Sequence, residues 1–399
     1  MGARAAARLA CPAVLASLGL ALLAPPIAAS TPPPPFAVVD LHVDQPYRVH
    51  YHGRDPSLND GHVTRATMAR GAYVGVVLAL YLPDTPPAKA GARSPTARTT
   101  IADAESILAD IGRIAQASGV LTPLPFTSLP EGNVAAFTSI EGAGPFAEDP
   151  SKLDDFLARG VRLVGLVHAN DDAFASSATG KGGATFGLTD AGKALAEHVY
   201  EQGALIDVSH LSDAGFADIV PIAAKFDAPI VATHSNARAL CAHPRNLTDE
   251  QLRAIAKSRG VVGLNFYGPF VATDPAQAHL DAVVGHALHL IRVMGIDHVA
   301  IGSDFDGMRN TAKGLEDASK LPELANRLQR AGVSTSDVRK LFAYNALRVL
   351  AWRSRAYIDK QLRDAQRPPS AWLSEPLRDD ALARLERARE RSPHAHGCE

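Results

Sequence analysis

The chain has 399 residues, 46% of them hydrophobic, with 40 Lys and Arg against 42 Asp and Glu and a formal net charge of -2. That length and apolar content suit one large packed core, such as an α/β barrel with insertions. The near balance of charge leaves no basic field for nucleic acid and no strong field for an acidic partner or a membrane surface.

Residues 1–30 read as a secretory signal. "MGARAAAR" is basic, "LACPAVLASLGLALLA" is apolar and "PPIAAS" ends in small residues, with cleavage expected around Ala29 to Thr31. The apolar run is short for a membrane span. The protein is therefore expected to be exported, periplasmic or secreted, and membrane-associated only if this segment is retained as an N-terminal anchor. "TPPPP" makes residues 31–36 an extended proline-rich spacer. Residues 37–399 then form one barrel domain, with an Arg-rich, helical tail from about residue 352. Three cysteines do not make a disulfide scaffold. After cleavage Cys241 and Cys398 remain, and a buried thiol plus a loose tail thiol is favoured over a bridge between them.

Eight β-rich runs follow. They are 38–44, 73–82, 134–142, 161–170, 204–210, 229–235, 260–267 and 298–307. Amphipathic stretches at 100–118, 189–203 and 280–295 lie between them. Strands alternating with helices predict parallel βα units, and eight of them predict a closed (β/α)8 TIM-type barrel with peripheral C-terminal helices. No Gly-x-Gly-x-x-Gly turn follows the first strand, as a dinucleotide-binding open sheet would require. Two loops, 83–99 and 171–184, carry few order signals and fall on the C-terminal face, where lids and binding loops sit.

Polar residues stand at the ends of these apolar strands. In order they are His42 and Asp44, Glu141, His168, His210, His234, Asn265 and Tyr267, then Asp304 and Asp306. Each has an ordinary structural reading. Asp207 and Ser209 read as structural hydrogen bonders, Asp306 as a cap for the turn at Gly307, and Asp40 as support behind its neighbours or a polar residue facing a helix. The set carries more weight than its members. Three imidazoles with Asp and Glu make a mixed nitrogen and oxygen group suited to zinc or a similar transition metal. Five protein ligands exceed what one catalytic zinc uses. Two ions sharing Glu141 fit better, His42 and Asp44 holding one and His210 and His234 the other. Such a pair activates water and polarises a carbonyl.

The motifs "DLHVDQP", "SIEG", "LVHAN", "IDVSH", "THSNARALCAHPRN", "NFY", "IGSDFDG" and "GLEDASKLPEL" occur in that order from residue 38 to about 325. On them the chain resembles the membrane dipeptidases of peptidase family M19, in the amidohydrolase-like group of barrels. The resemblance implies a zinc dipeptidase in which a metal-bridged hydroxide attacks the peptide bond. It implies two zinc ions bridged by Glu141, with His42 and Asp44 on one and His210 and His234 on the other. His168 matches the histidine that contacts the substrate carbonyl, Arg245 the arginine that holds the terminal carboxylate, and Asp304 the aspartate that binds the free amine or relays a proton. Tyr267 matches a pocket tyrosine. A dipeptide is the implied substrate, and a homodimer is allowed for. The sequence departs from the family at "EGAGPF" after Glu141, at Gln45, and in lacking a cysteine after "NFY". Two other readings stay open: a related hydrolase of another amide or a lactam, and a non-catalytic barrel that only binds.

Overall fold

The computed structural model describes residues 36–84, 98–125, 129–181, 186–354 and 357. The signal-like segment, most of the proline spacer and of the 83–99 loop, residues 182–185, and the tail beyond 357 with Cys398 lie outside the described residues.

Nine strands lie in one parallel sheet. They are β1 (Val38–Val43), β2 (Tyr73–Tyr81), β3 (Leu121–Pro123), β4 (Val134–Glu141), β5 (Val161–Gly165), β6 (Leu205–Asp207), β7 (Val231–Ser235), β8 (Val261–Leu264) and β9 (Val299–Ile301). Eight of them close a barrel in the order β1, β2, β4, β5, β6, β7, β8, β9 and back to β1. The (β/α)8 architecture predicted from the sequence is therefore present. The ninth strand, β3, was not predicted. It pairs with the start of β4, from Leu121 opposite Val134 to Pro123 opposite Ala136, before β5 takes up its pairing at Thr138. Three residues ending in proline carry no alternation to read.

The strands are apolar on both faces because a parallel sheet is covered on both. β1 shows how the site is grafted onto that rule. Val39, Leu41 and Val43 are buried in the core, while Asp40 and His42 occupy the alternate positions. β2 and β4 pair in unbroken register from Gly75 opposite Ala135 to Tyr81 opposite Glu141, which delivers Tyr81 and Glu141 together at the C-terminal end. The seam between β1 and β9 has one ladder pair, Asp40 with Ile301. It is continued by backbone bonds from Asp304 N to His42 O (3.1 Å) and from Asp44 N to Phe305 O (2.9 Å).

The helices predicted at 100–118, 189–203 and 280–295 are Ile101–Ser118, Asp190–Glu201 and Leu280–Met294. Thr100 opens the first with a capping box to Asp103, and Thr189 caps the second through Gly192 N. Such caps are worth about 1 kcal/mol each. At the opposite end of the barrel Phe36 packs on Phe342 at 4.7 Å, and Asn345 Nδ2 donates to Ile296 O and Val299 O. Those contacts fix the helical run Thr335–Leu350 against the barrel floor. Among the described residues no helix is long and apolar enough to cross a membrane.

Candidate metal centre and active site

Three of the predicted ligands, His42, His210 and His234, meet around one oxygen of a fourth, Glu141. Glu141 Oε1 lies 3.0 Å from His210 Nε2, 3.6 Å from His42 Nε2 and 3.6 Å from His234 Nε2. His168 Nε2 is 3.9 Å away from the same oxygen. Asp44 Oδ2 is 3.3 Å from His42 Nε2, and Asp304 joins His42 and Asp44 in a second cluster of ligand atoms within 4.8 Å of one another. Glu141 is the last residue of β4, and Gly142 follows it with φ 92, a turn a side chain would resist. His42 and His234 lie within β1 and β7. Asp44, His168, His210, Tyr267 and Asp304 come from the loops just past strands, on the face where a barrel of this kind carries its chemistry.

The donor chemistry fits metal ions. Burial, with the Arg245 charge next, drives the imidazolium forms of His210 and His168 out of range, His168 to a pKa of about 3; burial does the same for His234, with the His42 and Arg245 charges adding. These rings are neutral and offer lone pairs. His210 Nε2 and His234 Nε2 face each other at 3.0 Å, and His42 Nε2 is buried with no hydrogen-bond partner among the described residues. Burial pushes the Glu141 carboxyl upward, with Asp44 and Asp304 adding to it against the pull of His42. Burial opposes the His42 imidazolium, but Glu141, Asp44 and Asp304 outweigh it and raise that pKa to about 10. A divalent cation resolves this crowding, because it keeps carboxylates ionised and imidazoles neutral.

Several residues that sequence reasoning assigned lesser roles, or missed, hold the ligands in place. Thr233 Oγ1 donates to Asp207 Oδ2 and so accepts from His234 Nδ1 at 2.8 Å, which leaves the lone pair of His234 on Nε2, toward Glu141. The same hydroxyl lies 3.5 Å from His42 Nδ1. Asp207 also accepts from Ser209 N and Thr233 N, each at 3.0 Å. It is structural as predicted, but what it supports is the candidate ligand histidine set. Asp40 accepts from Tyr73 Oη, Ser303 N and His42 N, and supports β1 from behind. Asp306 does not cap its own turn. Its carboxylate accepts from His62 N (2.8 Å), Val63 N (3.1 Å) and Arg48 Nη1 (2.7 Å), tying down a segment 244 residues earlier, which Gln45 Nε2 also holds through Val63 O. Asp304 and Asp306 both take left-handed backbone (φ 64 and 69), which Asp tolerates better than most residues. Gly307 follows because a Cβ there would stand 2.2 Å from Asp44 Oδ2.

The loop beginning at Asp171 is tethered rather than loose over its described part. Ser177 N donates to Asp171 Oδ1, Ser177 Oγ to His168 O and Thr179 Oγ1 to Ala169 O. Those bonds fix the backbone that carries His168. Arg245 is buried, and burial lowers its pKa only to about 10, so it is still a cation at neutral pH. Its Nη2 reaches His210 Nε2 at 3.0 Å, while the buried Nη1 has no hydrogen-bond partner among the described residues. Asn265 Nδ2 donates to Asp304 Oδ2 at 3.1 Å, and Tyr267 lines the same cavity, of about 550 Å³, above the ligand group.

From residue 34 to residue 362 the sequence matches the membrane dipeptidases, peptidase family M19. The chain belongs to that family. The M19 family is one of metallo-hydrolases, and the barrel described above is its fold. Dipeptidase tcpJ of Claviceps purpurea is 34% identical over 219 residues, 55% of this chain and 51% of that protein. The match thus spans about half the length of that relative. An uncharacterised protein from the pqqA 5′ region of Klebsiella pneumoniae is 42% identical over 224 residues, 54% of this chain and 81% of that protein. A metallopeptidase from Rhodobacter sphaeroides, crystallised with a phosphinate mimic of the dipeptide L-Ala-D-Ala, superposes with a TM-score of 0.69 at 29% identity. That alignment covers 79% of this chain and 98% of the M19 relative.

Proposed function

We propose that this chain is an exported zinc dipeptidase. The observation that carries the reading is the convergence of His42, His210 and His234 on Glu141 Oε1, with the buried Arg245 cation lining the same cavity. His42, Asp44 and Glu141 would hold one zinc, and Glu141, His210 and His234 the other. Bound zinc supplies Lewis-acid activation of water and of the scissile carbonyl. The residues of the chain do the rest. Arg245 takes the substrate's terminal carboxylate, a pairing guanidinium suits. His168, neutral at working pH, donates an N–H to the oxygen that gains charge as the carbonyl is attacked. Asp304, steadied by Asn265, binds the free amine or passes a proton to the leaving nitrogen. A site that grips both termini accepts only short peptides. Export is supported by the three-part pattern of residues 1–30.

The test is a rate assay on zinc-loaded protein, with Ala-Ala dipeptides of both configurations at the second residue set against the Ala tripeptide. The mimic bound to the Rhodobacter relative, with its D-residue in second place, recommends including both. Dipeptide cleavage with the tripeptide untouched is the expected result. No cleavage of any of them refutes the reading and moves the search to other amides and lactams.

A further inference from the structure

A second cavity, of about 710 Å³, adjoins the first. The two share a doorway of three residues, His243, Arg309 and Asn310, which line both. Beyond the doorway the walls are small and mostly apolar, among them Pro269 and Ala272, and Lys313 also lines them. Among the described residues no carboxylate lines this annex. Neither Arg309 nor Lys313 makes an ion pair among the described residues, and both are exposed. Two unpaired cations facing a cavity without an acidic wall mark a place for an anion. His243 adds a donor. Its Nδ1 accepts from Arg245 N at 3.2 Å, so the proton of the neutral ring sits on Nε2.

The annex lies where a particular part of the substrate must go. His243 is two residues before Arg245 and packs at a tilt against Phe270, ring centres 4.5 Å apart, while the Arg245 guanidinium lies 5.3 Å from the centre of the same ring. A terminal carboxylate held by Arg245 is one bond from the α-carbon that bears the second side chain. That side chain therefore starts beside the doorway.

We propose that the annex receives the side chain of the substrate's second residue and selects an acidic one, which Arg309 meets at the doorway and Lys313 draws inward. The proposal rests on the dipeptidase reading above and adds the class of dipeptide. The experiment compares kcat/KM for Ala-Ala, Ala-Glu and Ala-Leu on the zinc-loaded full chain, in whichever configuration of the second residue is cleaved. It is repeated with R309M and with the double variant R309M/K313M. Because both residues are exposed and without ion pairs, these changes spare the fold, which circular dichroism checks. Ala-Glu should exceed Ala-Ala by about tenfold, the range of one charge-assisted hydrogen bond. R309M should remove most of that advantage through KM while Ala-Ala changes less than about twofold, since its methyl group is too short to reach the charge. Ala-Ala cleavage with no preference for Ala-Glu, a preference for Ala-Leu, or an Ala-Glu advantage that survives the double variant overturns the annex proposal alone. Failure to cleave any dipeptide overturns the dipeptidase reading and the annex with it.

Discussion

Thr233→Val tests whether one hydroxyl sets the metal affinity of the site. The substitution keeps the volume and the β-branch, so it removes an oxygen and little else. That oxygen donates to Asp207, accepts from His234 Nδ1 at 2.8 Å and lies 3.5 Å from His42 Nδ1. Without it His234 loses the bond that places its lone pair on Nε2. Loss of such an outer partner lowers metal affinity by about 10- to 100-fold, or roughly 1.4–2.8 kcal/mol. A second effect falls on stability, because the buried Asp207 Oδ2 loses a donor at a cost of about 1–3 kcal/mol. Zinc affinity, measured by competition with a chelator, separates the two effects, and urea unfolding of the metal-free protein gives the second. Thr233→Ser restores the oxygen and should restore affinity. If Thr233→Val binds both zinc equivalents as tightly as the unchanged chain, the hydroxyl does not position His234 and the argument fails.

Three other outcomes are expected. His210→Ala removes a nitrogen 3.0 Å from Glu141 Oε1; the purified protein should carry one zinc fewer by elemental analysis and lose activity by about 100-fold or more. Arg245→Met should raise KM for dipeptides by about 10- to 100-fold with the zinc content unchanged, and an unchanged KM would remove Arg245 from carboxylate binding. Burial raises the pKa of Asp172 from an ordinary 3.8 to about 6, so between those values the folded chain keeps a proton that the unfolded chain has lost. Stability from this residue is therefore present below pH 4 and declines as pH rises toward 6. In metal-free protein Asp172→Asn should gain stability relative to the unchanged chain between pH 4 and pH 7, as read by urea midpoints, and a constant difference would contradict the burial argument.

The candidate ligands were legible in the sequence because a carboxylate or imidazole at the end of an apolar strand has a cost that packing does not explain. Glu141 and His234 stand out against "VAAFTSI" and "PIVAT" for that reason. Their order along the chain also matched a family. What supports them was not legible in the same way. Thr233 is an ordinary residue for a strand, and only the closed barrel brings it between His42 and His234. Asp306 looked like a local cap because local turns are the common use of an aspartate before glycine, yet its partners are His62, Val63 and Arg48. Ser177 reads as one of many small residues in a loop until its hydroxyl is seen on the His168 carbonyl. The annex joins residues 241–243, 268–278 and 309–313, which share no period or motif.

The seam between β1 and β9 has a consequence for how the protein is built. The backbone bonds that continue it past its one ladder pair belong to His42, Asp44 and Asp304, whose side chains also form part of the ligand group. Joining the first strand to the last and gathering those three side chains are thus the same event. With the ring open at that seam, Asp304 on the β9 side is parted from His42 and Asp44 on the β1 side. During refolding, a step from weak to tight metal uptake is the expected mark of ring closure, read without any label on the chain.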